Sequence, residues 1–502
     1  MSKKNRLSIV ACAVLITSAL PGIALAQPLS ASEALYEALR HNPTLRAAGS
    51  DLAADQALTQ SESARYDATL TLAAGATRTK NPSLSPGSSA VSVSTSDVAE
   101  TSATLQKTVS TGAQLSASVG ASASKSSSPY VFSSAQGDAG SVVLVTGPGY
   151  LLSARLGVTQ PLLRGAGSEV TLAPYRQAVA QQTATERELS RTANALARDV
   201  LLAYWELYYA SKAVEVDRTA QQTASAQRDD AIRRARTGSL AFADILTFET
   251  QLATTEETLL QSELERTSRQ NELGRLLGRN RGAGEIEVSE PEAPEPRDLP
   301  PELLSVVLES SPEVAASKAN LTVAQVRERT AADAQRPRLD LDAYLQSQGL
   351  GNRDVPSAFS QLAGLGVLSA HVGVTFELPL TGTRYRAEAR RARATVEVAQ
   401  DKLEAARNQV LSDMTTLVRK RELARRRIEI ATGGFEYARQ NLAAKSALFA
   451  TGSATVLEII QAQDSLQAAD KRLARARVDV VAADLVIAYH LDSLLKNAVA
   501  SR

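Results

Sequence analysis

Aromatic residues make up only 4% of this 502-residue chain, which has one Trp, two Met, three His and a single cysteine. So little aromatic material suits long helices packed through small side chains better than several compact cores. One cysteine, Cys12, excludes a disulfide framework and a cysteine-held metal. His41, His371 and His490 stand far apart in sequence, and neither metal-ligand spacing nor a phosphate-cradling loop appears, so no enzyme and no cofactor is expected. The charge is balanced at +1, which leaves no basic field to attract nucleic acid. Beyond the first 26 residues no run reaches the ~18–20 apolar residues that a spanning helix needs.

Those first 26 residues read as a secretory signal. Lys3, Lys4 and Arg6 begin it, Leu7 to Leu20 is its apolar run, and Ala24-Leu25-Ala26 is the small-residue cleavage site. A lipoprotein reading of Cys12 fits less well, because too little apolar sequence precedes it. The mature chain is expected to start near Gln27, with 52 basic against 54 acidic residues and no thiol. An exported chain without a helical anchor can cross a membrane only on strands.

Three landmarks then recur in order. "ALRHNPTLRAA" around Pro43 returns as "VLESSPEVAAS" around Pro312, "VTQPLLRG" at Val158 as "VTFELPLTG" at Val374, and "ARTGSLAFADILTFETQL" around Gly238 as "FATGSATVLEIIQAQDSL" around Gly452. The offsets are 269, 216 and 214 residues. The near-equality of the last two implies a tandem duplication, 27–285 and 301–502, joined by an acidic Pro-rich linker at 286–300. The larger first offset implies an insertion in the first repeat, the Ser/Gly-rich stretch of about 80–149, expected to be extracellular.

Two stretches alternate cleanly. Leu152, Ala154, Leu156 and Val158 face one way, against Ser153, Arg155, Gly157 and Thr159. Likewise Leu368, Ala370, Val372, Val374 and Phe376 alternate with Ser369, His371, Gly373, Thr375 and Glu377. "ATLTLAAGAT" from Ala68 and "LDLDAYLQSQ" from Leu339 are weaker versions. Alternation alone also fits a soluble, half-buried sheet. In an exported chain, ~10-residue strands with one polar face fit an outer-membrane barrel. Each repeat offers a pair, so four strands are expected, too few to close a barrel alone. The extra hairpin-like segment Ala103 to Ser122 is expected to extend the extracellular side. Pro161 and Pro379 should end the strands, with Gly165 and Gly382 re-aiming the chain into helix.

The rest is helical in pattern. Ile459, Leu466, Leu473, Val480, Ile487 and Leu494 stand seven apart, accompanied by Ala462, Ala469, Ala476 and Ala483. A large-residue column beside an alanine column is a seam between closely approaching helices. Long helices are expected over Val170–Arg236 and Arg384–Ala450, with shorter ones over about Ser30–Arg65, Ser239–Leu277, Pro301–Gln335 and Ser453–Leu495.

Together, Asn42–Pro43, Thr159–Gly167, Leu378–Gly382 and the paired TGS turns make the chain resemble the TolC-like outer-membrane efflux protein family. That resemblance implies a mostly α fold with a β membrane part: a homotrimer whose protomers give four strands each to a 12-stranded barrel, continued by a periplasmic coiled-coil α-barrel. It further implies an equatorial belt near Glu287–Glu302, contact with outer-membrane lipid, a periplasmic adaptor protein and an inner-membrane transporter, and export of small molecules or protein. Thr237, Gly238, Ser239, Leu240, Thr451, Gly452 and Ser453 would face the adaptor, although Gly ending one helix and Ser capping the next explains them equally. Asp244 and Glu458, 214 apart, would form an acidic ring at the periplasmic entrance. An acid that merely suits a helix N-terminus is the alternative. Thr247, Gln461 and Ala454 depart from the family pattern, so a gating network does not carry over. The arginine clusters Arg390–Arg393 and Arg425–Arg427 are expected on solvated faces. The rival to an export duct is a non-conducting trimeric coiled-coil protein of the envelope.

Overall fold

The computed structural model describes residues 28–84, 91–133, 139–238, 240–279, 285–290 and 302–495. The expected signal segment with Cys12, the start at Gln27, Ser239 and most of the Pro-rich linker lie outside these residues. Ten helices and six strands follow one another among them.

Ser30 opens α1 (Ala31–His41) through a capping box with Glu33, and Asn42 ends it in an extended conformation before Pro43, where α2 (Pro43–Ala64) begins. Four strands follow: β1 (Thr69–Leu84), β2 (Val91–Thr108), β3 (Gln114–Ser133) and β4 (Ala139–Pro161). A single turn, α3 (Ser168–Thr171), leads into α4 (Ala173–Arg236), and α5 (Phe242–Leu277) returns. The second half gives α6 (Leu303–Ser310), α7 (Pro312–Asp333), β5 (Arg338–Asn352), α8 (Val355–Ala363), β6 (Leu368–Glu377), α9 (Thr383–Ala450) and α10 (Val456–His490).

The chain divides into two compact units. One comprises residues 44–193 and 302–413, the other 1–43, 194–301 and 414–502. The first unit holds an antiparallel sheet in the order β1-β2-β3-β4-β5-β6, so β1 and β6 each keep a free edge. Below it four helices lie in a row. Thr185 of α4 donates to Asp55 of α2 at 2.6 Å, Gln177 of α4 donates to Thr330 of α7 at 2.9 Å, and Arg393 of α9 pairs with Glu328 of α7 at 3.7 Å.

The strand count departs from expectation: six, where alternation suggested four. The segment Ala103 to Ser122 is no extracellular extension. It belongs to two long strands whose turn at 109–113 lies on the helix side, with Gly167 N–H donating to Thr111 O at 3.1 Å. Gly112, at φ +92°, makes that turn tightly against the Gly165 carbonyl, where a Cβ would stand 2.6 Å away. The described residues of the region 80–149 are therefore mostly strand.

The second unit is a helical bundle of α1, α5 and α10 with parts of α4 and α9. Its seam follows the heptad: Ile459, Ala462, Ala469, Leu473, Ala476, Ala483 and Ile487 are all buried, as are Val396, Leu403 and Val410 on α9 in the first unit. Gly278 ends α5 in the left-handed conformation at φ +77°, close against the His41 carbonyl.

Candidate channel elements: strand faces, junction and hairpin tips

Directly opposed residues in an antiparallel sheet share a face, so the pairing register assigns every side chain in the six strands. One face carries Leu70, Leu72, Ala103, Leu105, Ala117, Val119, Ala154, Leu156, Leu345, Ala370 and Val372. The other carries Thr69, Thr71, Gln106, Thr104, Ser116, Ser118, Arg155, Gln346, Asp342, Tyr344 and His371. Most of the apolar face is uncovered by the protomer itself, with α8 lying only over Ser347, Gly349 and Gly351 on that side of β5: Leu72 is 73% exposed, Leu156 63% and Val372 74%. An apolar face this large and this bare, backed by a polar one, is disfavoured in water and matches lipid on one side and an aqueous lumen on the other. The polar face is organised by Arg155, whose guanidinium lies 3.6 Å from the Tyr344 ring centroid, and by the stacked pair Tyr344–His371, 4.9 Å between centroids. Thr159 donates to Asp342 at 2.8 Å.

At the junction Pro161 is the last residue of β4, opposite Asp340, and two further backbone bonds, Leu162 N–H to Leu339 O at 2.7 Å and Arg164 N–H to Pro337 O at 3.2 Å, hold the exit of the strand against β5. Gly165 takes φ +83° and donates its N–H to the buried Asp333 carboxylate at 3.0 Å, tying the exit of β4 to the end of α7. Pro379 and Gly382 lie between β6 and α9, with Gly382 at φ +53°, and Arg386 donates to Thr381 O at 2.6 Å. Arg164 pairs with Glu377 at 3.3 Å, so the junctions at the ends of β4 and β6 are joined.

At the other end of the long helices, Gly238 (φ +75°) and Gly452 (φ +72°) end α4 and α9 as expected. Thr237 and Thr451 donate to the carbonyls of Arg234 and Leu448 at 2.8 and 2.9 Å. The next helices start later than expected. Ala241 and Thr455 are their N-caps, each three residues past the glycine. The two tips pack together: Ala231, Phe248, Val456 and Ile460 form a buried cluster flanked by Leu240 and Phe449.

The two acids sit alike in backbone and differently in chemistry. Glu458 closes a capping box with Thr455 and receives Lys445 Nζ at 2.6 Å. The Lys445 hydrogen bond first, then the Thr455 N–H, hold its carboxyl down at about 2. Asp244 occupies the first turn of α5, where the cap is Ala241 and offers no side chain. The offset of 214 that relates the acids also relates Lys445 to Ala231 and Thr455 to Ala241. Among the described residues, the Asp244 carboxylate has no hydrogen-bond or ion-pair partner. Lys445 and Thr455 were not singled out in the sequence, although Thr455-Val-Leu-Glu458 is a readable capping-box pattern. Thr247 donates to Ala243 O at 3.4 Å and Gln461 accepts from Ser465 at 2.7 Å, local helix bonds that link nothing across the tips. Of the arginine clusters, Arg390, Arg391, Arg393, Arg426 and Arg427 are exposed as expected, and Arg425 is half-buried.

Comparison with known proteins places this architecture. The family model described as "Outer membrane efflux protein" matches residues 303–488. No curated protein sequence matches the chain. Among solved structures, the fold is similar to that of the outer membrane protein VceC of Vibrio cholerae, at 19% identity over 92% of this chain and 96% of that one, TM-score 0.64. It is also similar to the Campylobacter jejuni CmeC outer membrane channel, at 13% identity over 93% and 88%, TM-score 0.62. The Neisseria gonorrhoeae MtrE outer membrane channel matches at 17% identity over 92% and 88%, TM-score 0.61. Residues 303–488 thus match the outer membrane efflux protein family model, and the chain through most of its length has the fold of these outer-membrane channels.

Proposed function

We propose that this protein is the outer-membrane exit duct of a tripartite export system. Three copies close a barrel through the free edges of β1 and β6, and their helices continue the wall into the periplasm. The duct conducts passively, fed by an inner-membrane transporter through a periplasmic adaptor that docks at the tips around Thr237–Leu240 and Thr451–Ser453. The observation that carries this reading is the sheet itself: one mostly bare apolar face, one polar face and two open edges. Open edges cannot rest in hydrocarbon, so the sheet needs copies of itself. A non-conducting coiled-coil protein would have no use for such a sheet. Among the described residues no helix is long and apolar enough to cross a membrane, which leaves the strands to do it.

In this reading Asp244 supplies the acidic ring at the entrance, and Glu458 is a structural acid of the tip. The test is direct. Purified protein should run as heat-modifiable trimers from outer-membrane fractions and pass ions across planar bilayers. Well-folded trimers that conduct nothing would replace the duct with the scaffold.

A further inference from the structure

The strand count changes what kind of pore three copies would make. The hairpin β2–β3 is part of the wall by every local measure. Its pairing to β1 runs unbroken from Thr69↔Gln106 to Leu84↔Val91, and its pairing to β4 continues through Leu115↔Val158 and Ala121↔Leu152. Its apolar residues Leu105, Ala103, Ala117 and Val119 lie on the lipid-matching face, level with Leu72 and Leu156. Its turn lies at the strand-to-helix junction, where Thr111 accepts from Gly167, so the hairpin spans the full height of the sheet.

Width supports the same conclusion. At a spacing of ~4.8 Å and the usual tilt of ~40°, six strands cover an arc of about 38 Å. The four helices in the row below, at ~8–10 Å each, cover about 32–40 Å. Four strands at that tilt would cover only about 25 Å, and would have to lean beyond ~50° to match.

Resting on the trimeric duct proposed above, we infer that the membrane barrel has eighteen strands, six from each of three chains. At that tilt its backbone radius is about 18 Å, against about 12 Å for twelve strands, so its cross-section is roughly twice as large. Barrels of that size hold an aqueous channel. The β2–β3 hairpin adds to the lumen Gln106, Thr104, Ser102, Ser116, Ser118 and Ser122, short neutral hydrogen-bonding groups, and one carboxylate, Glu100, opposite Gly75 and Ser122. A wide, hydroxyl-lined section does not sieve small solutes. It passes bulky hydrated cargo, and selection falls to the helical tips.

Cysteine chemistry tests this, because Cys12 is the only native cysteine and lies in the expected leader. In trimers reconstituted in lipid, S118C should react with a charged maleimide at least ~10-fold faster than V119C, its lipid-facing neighbour. L72C combined in turn with cysteine at Ala370, Val372 or Val374 should give covalent trimers in one register. Intact trimers in which S118C and V119C react equally, or in which every seam pair fails, would overturn the eighteen-strand wall. A particle whose mass is not that of three chains would instead overturn the duct reading. Counting strands in an image of the barrel's cross-section is an independent measurement: eighteen supports the wall, and twelve overturns it.

Discussion

Lys445 Nζ lies 2.6 Å from Glu458 Oε1, while Glu458 Oε2 accepts the Thr455 N–H at 2.8 Å. Both bonds favour the ionised carboxyl and lower its pKa from 4.5 to about 2. A depressed folded-state pKa stabilises the tip fully above the unfolded value, and the stabilisation is lost as pH falls through the folded one. Protection against amide exchange over residues 451–460, taken relative to the intrinsic rate at each pH, should therefore be high at neutral pH and fall between about pH 4.5 and 2. Glu458→Gln should exchange faster at neutral pH and show no such step. An identical step in that variant would mean that another group controls the tip.

Asp244 and Glu458 should separate in selectivity. The Glu458 charge is largely offset by Lys445, whereas Asp244 has no internal partner among the described residues. Asp244→Asn should lower the cation-to-anion permeability ratio by roughly threefold, as expected for removal of an acidic ring from a narrow pore. Glu458→Gln should change it less, and the double variant should resemble Asp244→Asn. Reversal potentials in asymmetric salt measure all three. An unchanged ratio for Asp244→Asn would remove the ring from the mechanism.

What the sequence disclosed tracks the contrast between neighbouring side chains. In β4 and β6, Leu, Val and Phe alternate with Ser, Arg, Gly and His, so the period is plain. In β2 and β3, Ala faces Ser and Thr along much of the length, as in Ala117-Ser118 and Ala121-Ser122. The steric requirement of the pleat is met, but the hydropathy swing is small, so the pair reads as an extra hairpin and not as part of the wall. The heptads were legible because Ile459 to Ile487 holds large side chains at strict spacing. Partners across helices were not, since nothing local joins Lys445 to Glu458 or Asp217 to Lys471.

Asp217 on α4 is fully buried and receives three donors: Lys471 Nζ at 2.5 Å, Gln467 Nε2 at 2.6 Å and the Ser262 hydroxyl. These draw α10 and α5 onto α4. Asp217→Ala should destabilise by about 3 kcal/mol, because it leaves the partly buried Lys471 charge without a counterion. Asp217→Asn keeps some hydrogen bonds and should cost less, about 1–2 kcal/mol. The midpoint of heat dissociation of the trimers reports the order, parent above Asn above Ala. An Ala variant as stable as the parent would show that the network contributes nothing net.

The short helix α8 lies on the sheet because β5 lacks side chains beneath it. A Cβ on Gly349 would overlap the Ala358 carbonyl, and one on Gly351 the Asp354 carbonyl. Ser347 donates to Leu362 O at 3.1 Å, and Gln361 bonds Leu350 at both its N–H and its carbonyl. Gly349→Ala should lift α8 at a cost of about 1–3 kcal/mol, the usual penalty of overpacking, while leaving the strand ladder paired. Gly75 in β1 is the control, since a Cβ there meets only the Glu100 side chain at 3.7 Å. Limited proteolysis should cut residues 353–366 faster in Gly349→Ala, with unchanged trimer yield, and leave Gly75→Ala at the parent rate. Equal cutting in all three proteins would mean that α8 does not depend on the glycine seat.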